Sequence, residues 1–413
     1  MIKVHDYFLA TLSLKNTNRH VWAITNILLH CKCTQNQTKR SPMQSPAQVL
    51  QDIEKLLQKQ QLNQALTLAD QAIRQWPDHL ALIDKCAQLA NHSGRTVASL
   101  ELLKRAEQLG SKRAAIQRQA IIDHSAPYWH FRMMNDEVRN QAYNTALREY
   151  VTPDSIVLDI GCGAGLLSMM AARAGAKHVY ACEVHELMHH HAEKIFKLNG
   201  YQNKISAIRQ VSTQLKIGQQ LPERADIIVA EVFDTGLLGE QALSTFEHAR
   251  EHLLKPGGKI LPSKASVQVV LIESELLHRE SIVKQCSGFK VDSLNELSPS
   301  YIQARLDSFP HVILSEVKEL GNFDFQHGVS NEQISTIEFT AQTSGMVHGV
   351  CFWFTLDFGK QILLSTGPEN KWNCWMQAIS TFETPIQLSQ GQKLKIDAIQ
   401  TKDRISFKPS ATN

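Results

Sequence analysis

Two acidic residues follow a short apolar run in this chain of 413 residues. Asp226–Ala230 reads as a buried strand, and the segment that follows it directly begins with Glu231 and ends with Glu240. A loop in that position carries both carboxylates to the carboxyl edge of a sheet, where open α/β folds bind their ligands. Buried carboxylates are costly unless a cation pairs with them, and two carboxylates hold a forked guanidinium especially well. The pair therefore predicts a pocket for a guanidinium group.

A glycine-rich turn lies upstream, where the strand-like run 156–160 gives way to a helical pattern. The residues of this turn that could line a ligand are Asp159, Gly161, Gly163 and Gly165. Glycine lets the backbone approach a bound group closely, but a dinucleotide fingerprint would place the third glycine one residue later. Glu183 ends the next predicted strand, where a carboxylate accepts hydrogen bonds from ribose hydroxyls. The pattern fits a nucleoside without a pyrophosphate, of which S-adenosylmethionine is the obvious example.

Alternating strands and helices between residues 123 and 262 must position both features. The predicted strands are 156–160, 179–182, 205–208 and 226–230, and the predicted helices are 166–174 and 185–198. This alternation predicts a parallel sheet with helices on both faces, a Rossmann-like domain of the α/β class. Lys255–Lys259 contains Pro-Gly-Gly and reads as a hairpin-like turn at the end of this domain.

Residues 263–413 change to short runs of alternating polarity, which predict an antiparallel β-barrel or sandwich. The predicted strands are 267–271, 334–340, 347–358, 361–365, 378–382 and 394–399. Residues 285–320 interrupt this pattern with apolar side chains mixed with charges. We interpret that segment as a candidate interaction arm.

Apolar residues recur at helical spacing in residues 43–122 and predict four amphipathic helices. A shift of 34 residues superimposes Val49 on Ile83, and this is the period of tetratricopeptide (TPR) repeats. An ordinary helical bundle is the alternative, because the region holds two such units and three are usually needed for stability. Residues 1–42 are interpreted as a weakly ordered leader.

Composition excludes several classes of function. Lys and Arg number 43 against 40 Asp and Glu, so no chain-wide charge favours nucleic acid, and dedicated nucleic-acid binding is not expected. No run approaches the roughly 18 apolar residues that span a bilayer, so no membrane partner is expected. Eight dispersed cysteines suggest reduced thiols and a cytoplasmic protein, with the nucleus left open. His30-Cys31-Lys32-Cys33 lacks a second ligand pair, so no metal is expected.

The segment Glu231–Glu240 resembles the double-glutamate loop of the protein arginine N-methyltransferases. Its stretches Glu-Val-Phe-Asp-Thr and Leu-Leu-Gly-Glu resemble the corresponding stretches of members seven and nine of that family. Tyr128–Arg139 resembles the helices that cover the family's cofactor, and member nine also carries TPR repeats before its catalytic core. The resemblance covers about Ser125–Phe407. It implies methyl transfer from S-adenosylmethionine to a guanidinium nitrogen of protein arginine.

The resemblance implies a role for each matched position. Glu231 and Glu240 would be the catalytic pair that holds the guanidinium, and no metal is implied. The glycine pattern and the resemblance together assign cofactor binding to His130, Met133, Arg139, Asp159, Gly161, Gly163, Gly165, Glu183, Ser212 and Thr213. Arg139 would pair with the methionine carboxylate of the cofactor, while Ser212 and Thr213 would flank its adenine.

One position departs from the family pattern. Most members carry Thr-His-Trp in the C-terminal domain, with an aspartate at the position of Asp136, whereas here Cys374 replaces the histidine and Trp375 is kept. A neutral thiol is not expected to pair with Asp136 as an imidazolium would, which leaves reduced activity as an alternative. Asp234 also occurs in members that make mono- or symmetric dimethylarginine, which favours one of those products. Asp234 and Trp375 are assigned to substrate binding.

The resemblance also bears on partners. Members seven and nine join two cores in one chain, whereas this chain holds one core and an arm like the family's dimerisation arm, so we expect a homodimer. The expected substrate is an arginine-containing protein or peptide, and a protein partner could bind the TPR-like helices. One alternative is a methyltransferase of another nucleophile, such as RNA, although acidic loops repel phosphate. The other is a TPR-containing binding protein whose core no longer turns over.

Overall fold

The computed structural model describes residues 45–125, 128–329 and 332–410. The predicted leader and its Cys31 and Cys33 lie outside these residues. The chain divides between Ser125 and Ala126 into two compact units, and each unit has a buried apolar core of its own. Within the described ranges, the helices are all too short or too polar to cross a membrane.

Helices make up the described part of the N-terminal unit. They are α1 (Pro46–Gln58), α2 (Leu62–Gln75), α3 (Leu80–His92), α4 (Thr96–Gln108) and α5 (Lys112–Ser125). Ser45 caps α1 by accepting a hydrogen bond from the Gln48 N–H, and Pro46 takes the first helical position. Helix α5 was not predicted, because Ala114 is its one buried residue and its apolar pattern is weak. The TPR assignment stays a prediction.

The C-terminal unit is built around a five-stranded parallel sheet with the strand order β3-β2-β1-β4-β5. Its elements are α6 (Trp129–Met134), α7 (Glu137–Tyr150), β1 (Ile156–Ile160), α8 (Leu166–Arg173), β2 (His178–Cys182), α9 (Glu186–Leu198), β3 (Ile205–Ile208), β4 (Ala225–Ala230), α10 (Ala242–His248) and β5 (Leu254–Leu261). Strand order reverses between β1 and β4, so the cleft for a ligand opens at their carboxyl ends. The hairpin-like turn predicted at Lys255–Lys259 is wrong, because these residues lie within β5, parallel to β4.

Antiparallel strands fill the rest of the unit. They and one short helix are β6 (Lys264–Glu273), α11 (Glu275–Arg279), β7 (Gln285–Cys286), β8 (Phe289–Lys290), β9 (Ile302–Ala304), β10 (Val312–Ile313), β11 (Lys318–Asp324), β12 (Gln333–Thr340), β13 (Gly345–Asp357), β14 (Leu363–Ser365), β15 (Gln377–Leu388), β16 (Lys393–Gln400) and β17 (Ile405–Pro409). β12, β16 and β17 form a three-stranded sheet, and β6, β9–β11 and β13–β15 form a seven-stranded sheet. These ladders are separate in the described part of the chain, so a closed barrel stays a prediction.

The core of the C-terminal unit joins the parallel sheet to the antiparallel strands. Phe352 and Phe354 of β13 are buried in the same apolar cluster as β1 and β4. Trp353 between them packs on the opposite face of the sheet, in a second cluster with Val270 and Leu306. The shared core holds the carboxyl end of the parallel sheet against the antiparallel domain.

The predicted arm at 285–320 is divided by the structure. β9 pairs with β15 and β10 pairs with β6, so the later part of the segment belongs to the large sheet. The earlier part, Gln285–Leu297, forms the β7–β8 hairpin and a short 3₁₀ turn, and is called the arm hairpin below. Phe289 and Leu297 of this hairpin are exposed. The segment outside the main sheet is therefore shorter than predicted.

Candidate functional site

The glycine turn leaves the carboxyl end of β1. Gly161, Gly163 and Gly165 have φ angles of 71°, 53° and 81°, in the left-handed region that favours glycine. A Cβ on Gly163 would lie 3.1 Å from Nε2 of His130, and one on Gly161 would lie 2.9 Å from Cγ1 of Val232. The turn therefore needs glycine both for its backbone angles and for the close approach of these side chains.

Glu183 holds this turn from the end of β2. Its Oε2 accepts a hydrogen bond from the Gly163 N–H at 2.9 Å, and its Oε1 accepts one from the His185 N–H at 2.7 Å. Burial raises the pKa of the Glu183 carboxyl, while these backbone donors oppose the rise. Each carboxylate oxygen can accept more than one hydrogen bond, so Glu183 can hold the turn and still bind a ribose hydroxyl.

Asp159 lies beneath the turn and is fully buried. Its Oδ2 accepts a hydrogen bond from the Ser168 hydroxyl at 2.5 Å, whereas its Oδ1 is buried without a hydrogen-bond partner. Burial raises the pKa of Asp159 to about 7. An unpaired buried acceptor costs free energy, and a donor group bound in the cleft would remove that cost.

The other residues predicted to cover the cofactor come from two elements. His130 and Met133 lie on α6 and are half-buried, and the His130 ring stacks on Trp129 with 3.8 Å between ring centroids. Ser212 and Thr213 begin the 3₁₀ turn that follows β3, with Ser212 half-buried and Thr213 exposed. Thr213 also lines an open surface cavity of about 360 Å³.

A buried ion pair joins Arg139 of α7 to Glu231 at the end of β4. Nη2 of Arg139 lies 2.8 Å from Oε2 of Glu231, and the two side chains are 3% and 7% exposed. Nη1 of Arg139 donates to Oδ1 of Asn140 at 2.8 Å, while Nε is buried without a hydrogen-bond partner. Arg139 was predicted to face the carboxylate of a cofactor, and in this structure it faces one member of the glutamate pair.

Glu240 ends the glutamate loop, defined as Glu231–Glu240, in acidic surroundings. Burial and the neighbouring carboxylates of Glu231, Asp234 and Glu183 raise the pKa of Glu240 to about 8. The charged groups that act most strongly on Glu240 are therefore all negative. Such a pocket favours a bound cation, because a cation removes the repulsion between the carboxylates.

Trp375, which lies shortly before β15, holds the glutamate loop through two hydrogen bonds. Its side chain is 5% exposed, and its indole N–H donates to the carbonyl of Phe233 at 2.8 Å. Its own carbonyl accepts a hydrogen bond from the Thr235 hydroxyl at 2.8 Å. Buried polar groups must be paired, and these pairs are internal. The structure thus gives Trp375 a bracing contact where substrate binding was predicted.

Asp234 is also held by internal partners. Its Oδ1 accepts a hydrogen bond from the Gly239 N–H at 2.7 Å, and its Oδ2 accepts one from the hydroxyl of Tyr301. Burial raises the pKa of Asp234, and both donors oppose the rise. The contacts of Asp234 therefore shape the loop, whereas the sequence had assigned the residue to substrate binding.

Asp136 contacts Cys374 through the backbone of the cysteine, a contact that the sequence did not predict. The backbone N–H of Cys374 donates to Oδ2 of Asp136 at 2.8 Å, and Oδ1 of the same aspartate caps α7 through the Arg139 N–H at 2.9 Å. Burial and the nearby carboxylate of Glu231 raise the pKa of the Cys374 thiol, which keeps it neutral. A hydrogen bond from a backbone N–H to a carboxylate thus joins the start of α7 to the segment that precedes β15.

Two tyrosines of the site were missed by sequence reasoning. Tyr143 donates to the carbonyl of Ala230 at 3.1 Å, and its ring centroid lies 5.3 Å from the Arg139 guanidinium carbon. The spacing of four residues from Arg139 on a helix could have indicated that contact. Tyr301 lies 67 residues from its partner Asp234, and no local pattern in the sequence points to it.

Comparisons with known proteins agree with this geometry. Residues 144–264 match the family model of the ribosomal protein L11 methyltransferase, and residues 263–412 match the arginine methyltransferase oligomerization subdomain. The arginine N(omega)-methyltransferase of Streptomyces achromogenes subsp. streptozoticus is 37% identical over 67% of this chain and 77% of its own length. The chain belongs to the arginine methyltransferase family. The resemblance noted for the glutamate loop is confirmed.

Other arginine methyltransferases match in part. Protein arginine N-methyltransferase 7 of Danio rerio is 32% identical over 64% of this chain, and protein arginine N-methyltransferase 9 of Mus musculus is 30% identical over 68%. The chain spans 43% and 36% of the lengths of these two relatives.

Solved structures of arginine methyltransferases share the fold. The enzyme–prozyme heterotetramer of Trypanosoma brucei protein arginine methyltransferase 1 with AdoHcy has a TM-score of 0.57 and 27% identity, over 65% of this chain and 86% of that one. Protein arginine methyltransferase 10 of Arabidopsis thaliana, in an open conformation, has a TM-score of 0.56 at 22% identity, over 69% and 99%. The second comparison supports the fold alone.

Proposed function

We propose that this arginine methyltransferase transfers a methyl group from S-adenosylmethionine to a guanidinium nitrogen of arginine in a protein or peptide, and that it makes monomethyl- or symmetric dimethylarginine. The glutamate loop carries the proposal. Glu231 and Glu240 lie at the carboxyl edge of the parallel sheet, next to the glycine turn, in a pocket whose other carboxylates raise the pKa of Glu240. A guanidinium matches both the charge and the shape of such a pair.

The described residues fit an S-adenosyl group. Oδ1 of Asp159 and Nε of Arg139 are buried polar atoms without hydrogen-bond partners, and the turn that follows Asp159 needs glycine. AdoHcy, the demethylated form of the donor, occupies the Trypanosoma brucei relative. Arg139 would leave Glu231 for the carboxylate of the donor. The residues proposed to hold the donor are His130, Met133, Arg139, Asp159, Gly161, Gly163, Gly165, Glu183, Ser212 and Thr213.

When bound, the donor supplies a methyl group on a sulfonium sulfur, which is already activated for transfer. The protein must hold one guanidinium nitrogen in line with that methyl and exclude water. Glu231 and Glu240 would hold the guanidinium through charge-assisted hydrogen bonds. The nitrogen that gains the methyl loses a proton, and a carboxylate such as Glu240, with a pKa of about 8, is suited to accept it near neutral pH.

A product assay tests the proposal. The full chain is incubated with S-adenosylmethionine and an arginine-rich peptide, and the peptide is analysed by mass spectrometry and by chromatography that separates the methylarginine isomers. Free arginine is assayed as a second candidate substrate, because the Streptomyces relative is named an arginine N(omega)-methyltransferase. We expect methylated peptide that contains monomethyl- or symmetric dimethylarginine. Methylation of RNA alone, or of a matched lysine peptide, would contradict the proposal.

We further propose that two copies associate through the arm hairpin. Phe289 is 72% exposed and Leu297 is 77% exposed on this hairpin, and the residues around them match an oligomerization subdomain. Exposed apolar patches of this kind mark interfaces. Light scattering should show a dimer for the native chain and a shift to monomer for Phe289→Asp. Ile334→Asp changes a side chain that is 71% exposed on β12 and should stay dimeric. A native chain that is monomeric would refute the association.

A further inference from the structure

Tyr301 enters the site from outside the glutamate loop, at the point where the chain returns from the arm hairpin to β9. Its hydroxyl donates to Oδ2 of Asp234, and its ring meets Phe352 edge-on with 5.5 Å between ring centroids. A Cβ on Gly236 would lie 2.4 Å from Cζ of Tyr301, so the loop backbone packs directly on the ring. Tyr301 is therefore fixed by the core on one side and supports the loop on the other.

Asp234 extends this support along the loop. Its Oδ1 accepts the Gly239 N–H at 2.7 Å, and a Cβ on Gly239 would lie 2.5 Å from Cγ of Asp234. Gly239 directly precedes Glu240 in the chain. Leu237, which lies between Asp234 and Gly239, has a φ of 77°, a conformation that costs free energy for a residue with a side chain. One carboxylate thus ties a fixed tyrosine to the residue next to Glu240 across a strained turn.

We propose that Tyr301 and Asp234 are a positioning pair that holds Glu240 where it binds the arginine guanidinium. The inference rests on the proposed function, because it assigns the two residues to the same site. Neither residue needs to touch the substrate. Without the hydroxyl of Tyr301, a buried carboxylate loses a donor and the Gly239–Glu240 end of the loop loses its fixed support.

The charges around the pair give it a signature in the pH profile. Glu240 faces Glu231 and Glu183 in addition to Asp234, and Tyr301 lies near Arg404 and Asp403, which pair with each other at 3.1 Å. Loss of the Tyr301 hydroxyl raises the pKa of Asp234, because that donor favours the ionised carboxylate. Asp234 is then protonated in a larger fraction of molecules, so it repels the Glu240 carboxylate less. The contribution of Asp234 to the raised pKa of Glu240 becomes smaller. The pH at which Glu240 becomes ionised should therefore fall.

The test compares Tyr301→Phe with Tyr180→Phe, which changes a half-buried tyrosine on β2 outside the loop. For Tyr301→Phe we expect a KM for the arginine peptide about tenfold higher, unchanged AdoHcy binding by calorimetry, and a lower pH midpoint of kcat/KM. Tyr180→Phe should match the native chain in all three. Asp234→Asn keeps an oxygen acceptor for the Gly239 N–H, and its amide NH2 can donate to the Tyr301 hydroxyl, but the charge is removed. This variant should therefore lower the pH midpoint with a smaller effect on KM.

The results separate two kinds of failure. If the native chain methylates no arginine, the proposed function fails. If the native chain is active and Tyr301→Phe behaves like Tyr180→Phe, the positioning pair alone is refuted. A Tyr301→Phe chain that does not fold, judged by circular dichroism, leaves the decision to Asp234→Asn, and an unchanged pH midpoint in that variant also refutes the pair.

Discussion

Glu231 and Glu240 lie on one loop, yet their neighbours carry opposite charges. Glu231 pairs with Arg139 at 2.8 Å, so a cation offsets its negative charge. Glu240 is surrounded by acidic groups, which raise its pKa to about 8. A guanidinium that enters the pocket must meet an ionised Glu240, because a protonated carboxyl offers only a weaker, neutral hydrogen bond. Substrate binding should therefore depend on pH.

The affinity for arginine should rise with pH across the pKa of Glu240. Below pH 8 the empty pocket holds a protonated Glu240, which must lose its proton on binding, whereas above pH 8 the carboxylate is already ionised. We expect KM for the arginine peptide to fall about tenfold per pH unit between pH 6.5 and 7.5 at constant ionic strength, and to level off near pH 8.5. A KM that is flat over this range, or that rises with pH, would contradict the assignment.

Residue types could be predicted for this site more easily than residue contacts. The acidic pair, the glycines and Glu183 were found because their spacing and position at strand ends carry the chemistry. Asp234 and Trp375 were assigned to substrate binding through the family resemblance, but their partners in the structure are Tyr301 and Phe233. A contact across 67 residues depends on the packing of the arm, which no local spacing encodes.

At the scale of the element, the strength of the local pattern decided what could be predicted. β1 was predicted at its observed bounds, because a short and mainly apolar run is typical of a strand that is buried on both faces of a parallel sheet. α5 was missed because Ala114 is its one buried residue. Lys255–Lys259 reads as a hairpin-like turn by composition, and Gly257 within it does have a φ of 77°. The chain nevertheless continues in β5, because pairing with β4 shifts register after Leu254 and resumes at Lys259.

The glycine turn should be sensitive to a single methyl group. Gly163→Ala adds a Cβ at a φ of 53°, 3.1 Å from Nε2 of His130, and so strains the backbone and displaces the residue that would cover the cofactor. We expect AdoHcy affinity, measured by calorimetry, to fall at least tenfold. Gly200→Ala is the matched control, because its φ is 76° and no atom lies within 4 Å of its added Cβ. Equal losses in both variants would show that backbone strain alone is responsible.

At the scale of the whole molecule, the two units have separate cores. The cluster that contains Ile53 and Leu103 draws its members from the N-terminal helices, and the clusters that contain Phe354 and Trp353 draw theirs from the C-terminal unit. All the residues proposed to hold the donor and the guanidinium lie in the C-terminal unit. A buried core within each unit is what allows a domain to fold alone.

Residues 126–413 should therefore fold and bind the cofactor without the helical unit. We expect a single cooperative unfolding transition in denaturant for this fragment, and AdoHcy affinity within about threefold of the full chain. The comparison uses fluorescence for unfolding and calorimetry for binding. A fragment that is unfolded, or that has lost AdoHcy binding, would contradict the independence of the two cores.

The most direct test of the account is the separation of methyl transfer from cofactor binding in Glu240→Gln. This change keeps the shape of the side chain but removes the charge that would hold the guanidinium. We predict that methylation of the arginine peptide falls by about 10³-fold or more, while AdoHcy affinity stays within about threefold of the native chain. Glu247→Gln, a half-buried glutamate of α10, should retain both properties. Methyl transfer by Glu240→Gln at the native rate would contradict the account.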